Sequence, residues 1–574
     1  MRRVIKTFIA LTLLALAVVT VSYGGSKEPD KRGPTASAAP TQDRPALMRQ
    51  HRGGTLKLVA KAAGGTIDPH VNYTLQYWQL YQSTYDGLLA FTKAGGNAAF
   101  QVVPDLATAV PTPTNGGKTW TFKLRSGIKF SNGQTVTTND VVASLRRIFK
   151  VKSPTSGGFY SGIVGADACL KKAATCTLKG GVSANAAAGT VTINLKAPDP
   201  EFKYKLAVPH ASILPAGTPP KDVGTKPIPG TGAYMFKSYN PNRSLVMARN
   251  PHFKEWSVKA QPDGYPDEIT QTFGLTVEAQ ITAIQNGQAD WTLEQPPADR
   301  LSEIGTKFAS QVHVTPLTAF WYIPMNTNLA PFDKLKARQA FNYAVDRNAA
   351  VSIFGGKNLA TPSCQVLPPG FPVHKPYCPY TKNPGTKWSA PDVAKAKQLV
   401  RESGTAGQKV TVIVPDDEVN RAMGVYTQSV LNQIGYKASV KPISGNIFFT
   451  FVQNTKNKVQ INVQQWYQDY PAASDFLNIL FGCDSFHPGS DSSINIAGFC
   501  DKRIDAQMKA ALRLGAKDEQ AANVEWAKID RAVTDAAPMA TLFNPKHVDF
   551  VSKRVGNFTF SKQFYWLVSQ SWVK

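Results

Sequence analysis

The sequence predicts a mixed α/β fold, strands and helices interleaved in an α+β manner, assembled in several domains. Three observations carry that prediction. Segments that alternate apolar and polar residues, as half-buried strands do, are interleaved with segments whose apolar residues recur at helical spacing. The 574 residues are 43% hydrophobic, enough to build more than one core at about 100 to 200 residues per domain. Clusters of Gly, Pro and Asn punctuate the chain between these segments.

Taken in order, Gly54-Thr-Leu-Lys-Leu-Val-Ala60 is a short alternating strand, and Ile67-Asp68-Pro69 turns the chain into Tyr73 to Leu89, where aromatic and aliphatic residues follow a helical period. In Lys118 to Arg125, Trp120, Phe122 and Leu124 fall on one face of a strand. Ser131-Asn132-Gly133 is a turn signal, and Thr138 is the expected cap of a helix through Val141, Val142 and Leu145. Further on, Ser389 is the expected cap of a helix with Pro391 and Asp392 in its first turn, an apolar face of Val393, Ala396, Leu399 and Val400, and Gly404 as its stop.

Lys and Arg exceed Asp and Glu by 64 to 39, a formal charge of +25. Three of these charges fall in residues 1–24 and a net three in 25–52, which leaves +19 beyond them. No run of five like charges occurs there, so the excess reads as a solvated basic exterior and not as a nucleic-acid groove. Arg2, Arg3 and Lys6 precede the apolar run Phe8 to Val21, 14 residues long, the pattern of an export signal over 1–24. A retained anchor is the alternative, reaching spanning length only by burying Lys6. Residues 25–52, rich in Gly, Pro, Ser and Ala, read as a flexible linker, with order expected from Gly53-Gly54.

Six cysteines suit an oxidising exterior. They fall as Cys169 with Cys176, Cys364 with Cys378 and Cys483 with Cys500, none at CxxC spacing, and proximity favours three local disulfides. Six cysteines allow 15 connectivities, and one pair left reduced and buried is the alternative. Enzyme signatures are missing: there is no HExxH and no GxSxG, and no two histidines stand at helical ligand spacing. Gly117-Lys118-Thr119 imitates the end of a phosphate loop, but Thr112 occupies the leading glycine position and a strand follows. No metal site and no cofactor are indicated.

Several blocks carry a resemblance to a known family. Pro104-Asp-Leu-Ala107 precedes Trp120-Thr-Phe-Lys-Leu-Arg-Ser-Gly-Ile-Lys-Phe-Ser-Asn-Gly133 and Thr138-Asn-Asp-Val141. Gly230-Thr-Gly-Ala-Tyr234, Arg249-Asn-Pro251, Ala283 to Asp290 and Ala337 to Arg347 follow, and Leu367-Pro-Pro-Gly370 and Trp466-Tyr-Gln-Asp-Tyr-Pro471 come later. In this order the chain resembles the extracellular solute-binding proteins of family 5, the peptide and nickel receptors of ABC importers. The resemblance implies a two-lobed, type II periplasmic-binding-protein-like fold with an inserted subdomain. Lobe I is then expected at 53–85, 225–316 and 540–574, its insertion at 86–224 and lobe II at 317–539.

What the resemblance implies for function is capture of an oligopeptide or dipeptide by cleft closure and delivery to the transmembrane subunits of a permease, by a monomer with no catalytic step. In the family's peptide receptors an acid at the place of Asp469 pairs with the ligand's α-ammonium group and an aromatic at the place of Trp466 lines the pocket. A desolvated ammonium needs a carboxylate in contact, and an aromatic wall excludes water. Asp469-Tyr-Pro is equally a natural turn, in which Asp469 caps backbone amides while Trp466 packs in the core. Tyr467 lies in the same block, and Tyr73, Tyr160 and Trp321 are further candidates at expected chain crossings, each with core packing as its competing explanation. Arg338, Asp346 and Arg347 are expected to stabilise a helix at its surface. A receptor for an oligosaccharide, metal chelate or opine shares the scaffold, and an extracellular hydrolase is the remaining alternative. Family members from Gram-positive bacteria are commonly lipoproteins, whereas Tyr23 stands where the acylated cysteine is expected and the first cysteine is Cys169, so an exported protein without N-terminal lipid is expected.

Overall fold

The strand Thr55–Ala60 begins a five-stranded sheet because Leu56, Leu58 and Ala60 put one apolar face inward, each at most 1% exposed. It pairs in parallel with Glu268–Phe273 and with Trp291–Thr292, and Ser244–Arg249 and Tyr234–Asn240 continue the sheet in antiparallel fashion. The protein is described here by a computed structural model covering residues 44–574 apart from 298, 372 and 490–492. The expected export signal and residues 25–43 of the expected linker lie outside the described residues. Arg44–His51 form a helix where the sequence reading placed the end of that linker. By its contacts the chain divides at Leu47, and Met48–Lys574 is one compact unit.

A second sheet centres on Met539–Phe550, a twelve-residue strand in which every residue except Lys546 is buried. It pairs antiparallel with Val312–Pro316, Ala319–Pro324 and Ala360–Pro362, and Ala319–Pro324 in turn pairs with Gln464–Tyr467. Lys409–Pro415 lies between Lys437–Ile443 and Ile461–Asn462 in a parallel sheet, flanked by the helix Glu418–Gln433. Thr119–Lys123, Thr190–Asn194 and Val182–Asn185 make a separate antiparallel sheet, with Trp120 and Phe122 buried as their alternation requires. The largest core runs from Leu56 through Phe122 and Trp291 to Phe476, and a second gathers Ile323, Phe341, Val412, Leu431 and Phe543.

Two expected caps move. Thr137, one residue before the expected Thr138, caps Thr138–Lys150: its backbone N–H donates to Asp140 Oδ2 at 2.7 Å, and its hydroxyl accepts from the Asp140 N–H at 3.4 Å. The acid three residues on selects which threonine caps. Asp392, not Ser389, caps Val393–Ser403, accepting the Lys395 N–H at 2.9 Å, while the Ser389 hydroxyl meets Thr381 at 2.8 Å. Gly404 does end that helix in the left-handed conformation, φ 69°. The surface placement expected for Arg338 and Arg347 is overturned. Arg347 is 1% exposed and donates to the Ser363 carbonyl at 2.7 Å, and Arg338 donates to the Phe332 and Ala536 carbonyls at 2.8 and 3.0 Å. Backbone acceptors satisfy both guanidinium groups in the interior.

All three local disulfides form: Cys169–Cys176, Cys364–Cys378 and Cys483–Cys500. A deeper tie joins the start of the chain to residues 138–150. Arg147 makes a bidentate contact with Asp68, both nearly without exposure, and also donates to the Pro219 and Lys221 carbonyls at 2.7 and 2.9 Å. Burial alone would raise the Asp68 pKa, but the Arg147 contacts outweigh it and hold the carboxyl below its usual range. The pair therefore contributes stability above the unfolded carboxylate pKa of about 4, lost as pH falls through the lower folded value. Arg147→Met, which strands the buried Asp68 charge, is expected to cost about 3–5 kcal/mol in a denaturant titration at neutral pH. A loss below about 1 kcal/mol would contradict the assignment.

Candidate ligand-binding site

The strand Gln464–Tyr467 delivers the chain to its turn, with Trp466 opposite Phe320 and Tyr467 opposite Ala319. Gln468 continues the ladder by donating its N–H to the Thr318 carbonyl at 3.0 Å, after which Asp469 to Ala472 lead into the helix Ala473–Phe481. The two sequence readings of Asp469 separate here. The turn is held by Asp475, in the first helical turn, whose Oδ2 accepts the Asp469 N–H at 2.8 Å. Gln563 fixes the other side by donating to the Asp469 carbonyl while accepting from Gln468 Nε2 at 3.1 Å. The Asp469 carboxyl is thereby free of capping duty. It accepts a short hydrogen bond from the Tyr73 hydroxyl.

Around this contact the surroundings are aromatic. The Tyr73 ring lies 6.1 Å from Trp466, edge to face, and 5.2 and 5.3 Å from His210 and Trp78. His210 is fixed by Thr155 Oγ1 at 2.7 Å and the Asn72 carbonyl at 2.9 Å, and burial pushes its pKa down to about 3, so it is neutral. The Trp466 indole N–H is buried and meets no acceptor among the described residues.

Asp469 is 9% exposed, and burial pushes its pKa up to about 7 against the hydrogen bonds from Tyr73 and Asp475 that pull it down. Asp475, fully buried, is driven well above the carboxylate range by burial and by the neighbouring Asp469. Behind them stands Glu201, also raised to about 7 by burial, which accepts the Ser474 hydroxyl. Lys205 pairs with Asp199 at 2.6 Å. A narrow recess of about 10 Å³ lies beside Tyr73, walled by Thr155, Gly158, Phe159, Ile479 and His487. Its two sides approach closely at the glycines: a Cβ on Gly157 would lie 2.8 Å from His487 Nε2, and one on Gly158 2.8 Å from Ile479 Cδ1. Among the described residues no group of three or more His, Cys, Asp or Glu side chains is arranged to hold a metal ion.

Residues 101–487 match the model of the bacterial extracellular solute-binding proteins, family 5. The chain belongs to this family. Among curated relatives, the glutathione-binding protein GsiB of Salmonella typhi is 26% identical over 507 residues, 86% of this chain and 89% of that protein. The periplasmic oligopeptide-binding protein OppA of Salmonella typhimurium is 26% identical over 547 residues, covering 91% and 93%. Among solved structures, the clavulanic acid biosynthesis oligopeptide binding protein 2 superposes with a TM-score of 0.77 at 21% identity, over 91% of this chain and 96% of that one. The periplasmic binding protein DppA of Helicobacter pylori, in complex with the peptide STSA, gives 0.77 at 18% identity, over 92% and 99%. The periplasmic-binding-protein fold expected from the sequence is therefore the fold of this family 5 protein.

Of its expected site residues, the structure brings Asp469, Trp466 and Tyr73 together. Tyr467 lies next to them in the strand, its ring 6.2 Å from Tyr565 and its pKa pushed up to about 12 by burial. Tyr160 is a core residue: it is completely buried and donates to the Lys205 carbonyl at 2.9 Å. Trp321 packs in the second core, 5.4 Å from both Phe354 and Phe543, on the face of the sheet that it shares with Tyr467 and that Trp466 does not. Asp475, Glu201, Gln563 and His210 were missed by sequence reasoning, and only Asp475 left a signal, as an acid placed to cap the Asp469 turn.

Because the Tyr73 hydroxyl stabilises the charged carboxylate, Tyr73→Phe is expected to move the Asp469 pKa above about 7 in carboxyl-labelled ¹³C NMR titrations. An unchanged or lower pKa would remove Tyr73 from the site.

Proposed function

We propose that this family 5 protein captures peptides with a free N-terminus outside the cytoplasmic membrane and delivers them to the transmembrane subunits of an ABC permease. One observation carries the reading: the Asp469 carboxyl, spared from capping its own turn, is buried and bonded to Tyr73, whose ring stands edge to face with Trp466. A carboxylate so placed gains most from a ligand ammonium group. The Trp466 N–H without an acceptor offers a donor to a ligand carbonyl in the same place. Names of the relatives support the ligand class, since GsiB binds glutathione and OppA oligopeptides. The same fold also occurs in AgaA, solved with agropinic acid, so the scaffold by itself leaves the solute open, and the acid at Asp469 supports an amine-bearing one.

Lobe I in this reading comprises 53–85, 225–316 and 540–574 with the insertion at 86–224, and lobe II comprises 317–539. The sheet around Met539–Phe550 then carries strands from both, and Tyr73 to Asp469 and Ser474 to Glu201 are bonds made on closure. Export through residues 1–24 is consistent with three disulfides, and among the described residues no helix is long and apolar enough to cross a membrane. Tyr23, in place of an acylated cysteine, supports a protein without N-terminal lipid. The reading assigns no catalytic step.

Asp469→Asn keeps the shape of the side chain and removes the charge. At neutral pH it is expected to weaken trialanine binding about 30-fold or more in isothermal titration calorimetry, the cost of truncating one partner of a buried charge pair being about 2–5 kcal/mol. N-acetyl-trialanine is expected to bind wild type and variant equally weakly. Equal trialanine affinity for both proteins would overturn the reading.

A further inference from the structure

Tyr73 and Asp469 meet where a ligand's amino group is expected, but a second set of contacts joins the insertion to lobe II with side chains that already satisfy one another. Tyr470, 1% exposed, comes from lobe II and is gripped by two rings of the insertion. Phe159 stands edge to face with it at 5.5 Å, and Tyr204 stacks on it at 6.3 Å with the ring planes 9° apart. Aromatic pairs favour both arrangements. Further along lobe II, Ser474 is equally buried and donates its hydroxyl proton to Glu201 of the insertion. The Tyr470 hydroxyl is therefore the donor in its 3.1 Å contact with Ser474, and the proton of each hydroxyl is used.

The insertion backbone comes equally close. A Cβ on Gly158 would lie 2.8 Å from Ile479 Cδ1, and one on Gly157 2.8 Å from His487 Nε2. Neither glycine has a positive φ, so the approach of lobe II, and not a backbone requirement, is what calls for glycine here.

We propose that these contacts form a clasp: the insertion holds lobe II shut through Tyr470 and Ser474 with a contribution that is the same for every ligand, which makes Phe159, Glu201 and Tyr204 positioning residues for peptide binding. The proposal rests on the lobe division and the peptide-binding reading above. A site that is complete only in the closed form binds with an apparent affinity reduced by the fraction closed. The clasp raises that fraction before a ligand arrives, and the ligand supplies the remainder through Asp469. Selection and closure are thereby separated. Asp469, Tyr73 and Trp466 read the ligand, while the clasp sets how tightly any accepted ligand is held.

The test combines small-angle X-ray scattering of the whole protein, empty and with saturating trialanine, with calorimetry of trialanine, alanyl-phenylalanyl-alanine and alanyl-lysyl-alanine. The empty wild type is expected to be nearly as compact as the peptide-bound form. Tyr204→Ala removes the stacked ring, and Gly158→Leu drives a wedge between the insertion and the helix Ala473–Phe481. Each is expected to expand the empty protein, to become compact again with saturating peptide, and to weaken all the peptides by one common factor, roughly five- to tenfold. Tyr204→Phe keeps the ring and is expected to restore both compactness and affinity. If Tyr204→Ala does not fold, Gly158→Leu decides alone. Folded variants that are as compact as wild type when empty overturn the proposal. So does a loss of affinity confined to one peptide, which would place Tyr204 against the ligand. Failure of the wild type to bind any of the peptides, with the empty protein still expanded by the variants, defeats the peptide reading and leaves the clasp standing.

Discussion

The Asp469 carboxyl is kept out of water with no cation paired to it among the described residues, and that is the constraint around which this site is arranged. Left ionised and alone, Asp469 would carry a desolvation cost that no ordinary interior interaction repays. The structure meets that cost partly with the Tyr73 hydroxyl and partly by leaving the group close to its protonated form. The arrangement is unfavourable for an empty pocket and favourable for one holding an ammonium group. That difference is what a receptor needs if ligand and closure are to be linked, because a ligand shifts a conformational equilibrium only by its differential affinity for the two states.

The rest of the fold holds this group in register. Gln464–Tyr467 is placed by Ala319–Pro324, which is placed by the strand Met539–Phe550, so the site is built outward from a long and almost wholly buried strand. Tyr73 arrives from the opposite direction, on a segment tied to residues 138–150 by Asp68 and Arg147. The acid and its hydroxyl partner are 396 residues apart in sequence, and their meeting depends on both supports.

How much of this was legible in the sequence depended on distance along the chain. Alternation in Trp120 and Phe122 gave a strand with the correct buried face, and the cysteine spacing gave the correct bridges, because both are local. Asp469 and Trp466 stand in a block of family resemblance, whereas Tyr73 offered only its place as an aromatic at an expected chain crossing. Local competition produced the cap errors: Thr137 and Thr138 differ only in which one has an acid three residues later. Arg338 and Arg347 misled because a charged residue on a helix is ordinarily exposed, and the carbonyls that satisfy them belong to distant or irregular segments. Glu201 was invisible for the same reason, since Ser474, which completes its environment, lies 273 residues away.

The most direct measurement is a crystal structure of the protein grown with trialanine. The account expects the peptide's amino nitrogen within about 3 Å of the Asp469 carboxylate, with Tyr73 still donating to the same group and Trp466 against the first residue. An ordered peptide whose amino group lies elsewhere, with Asp469 bonded only to Tyr73 and Asp475, would contradict it.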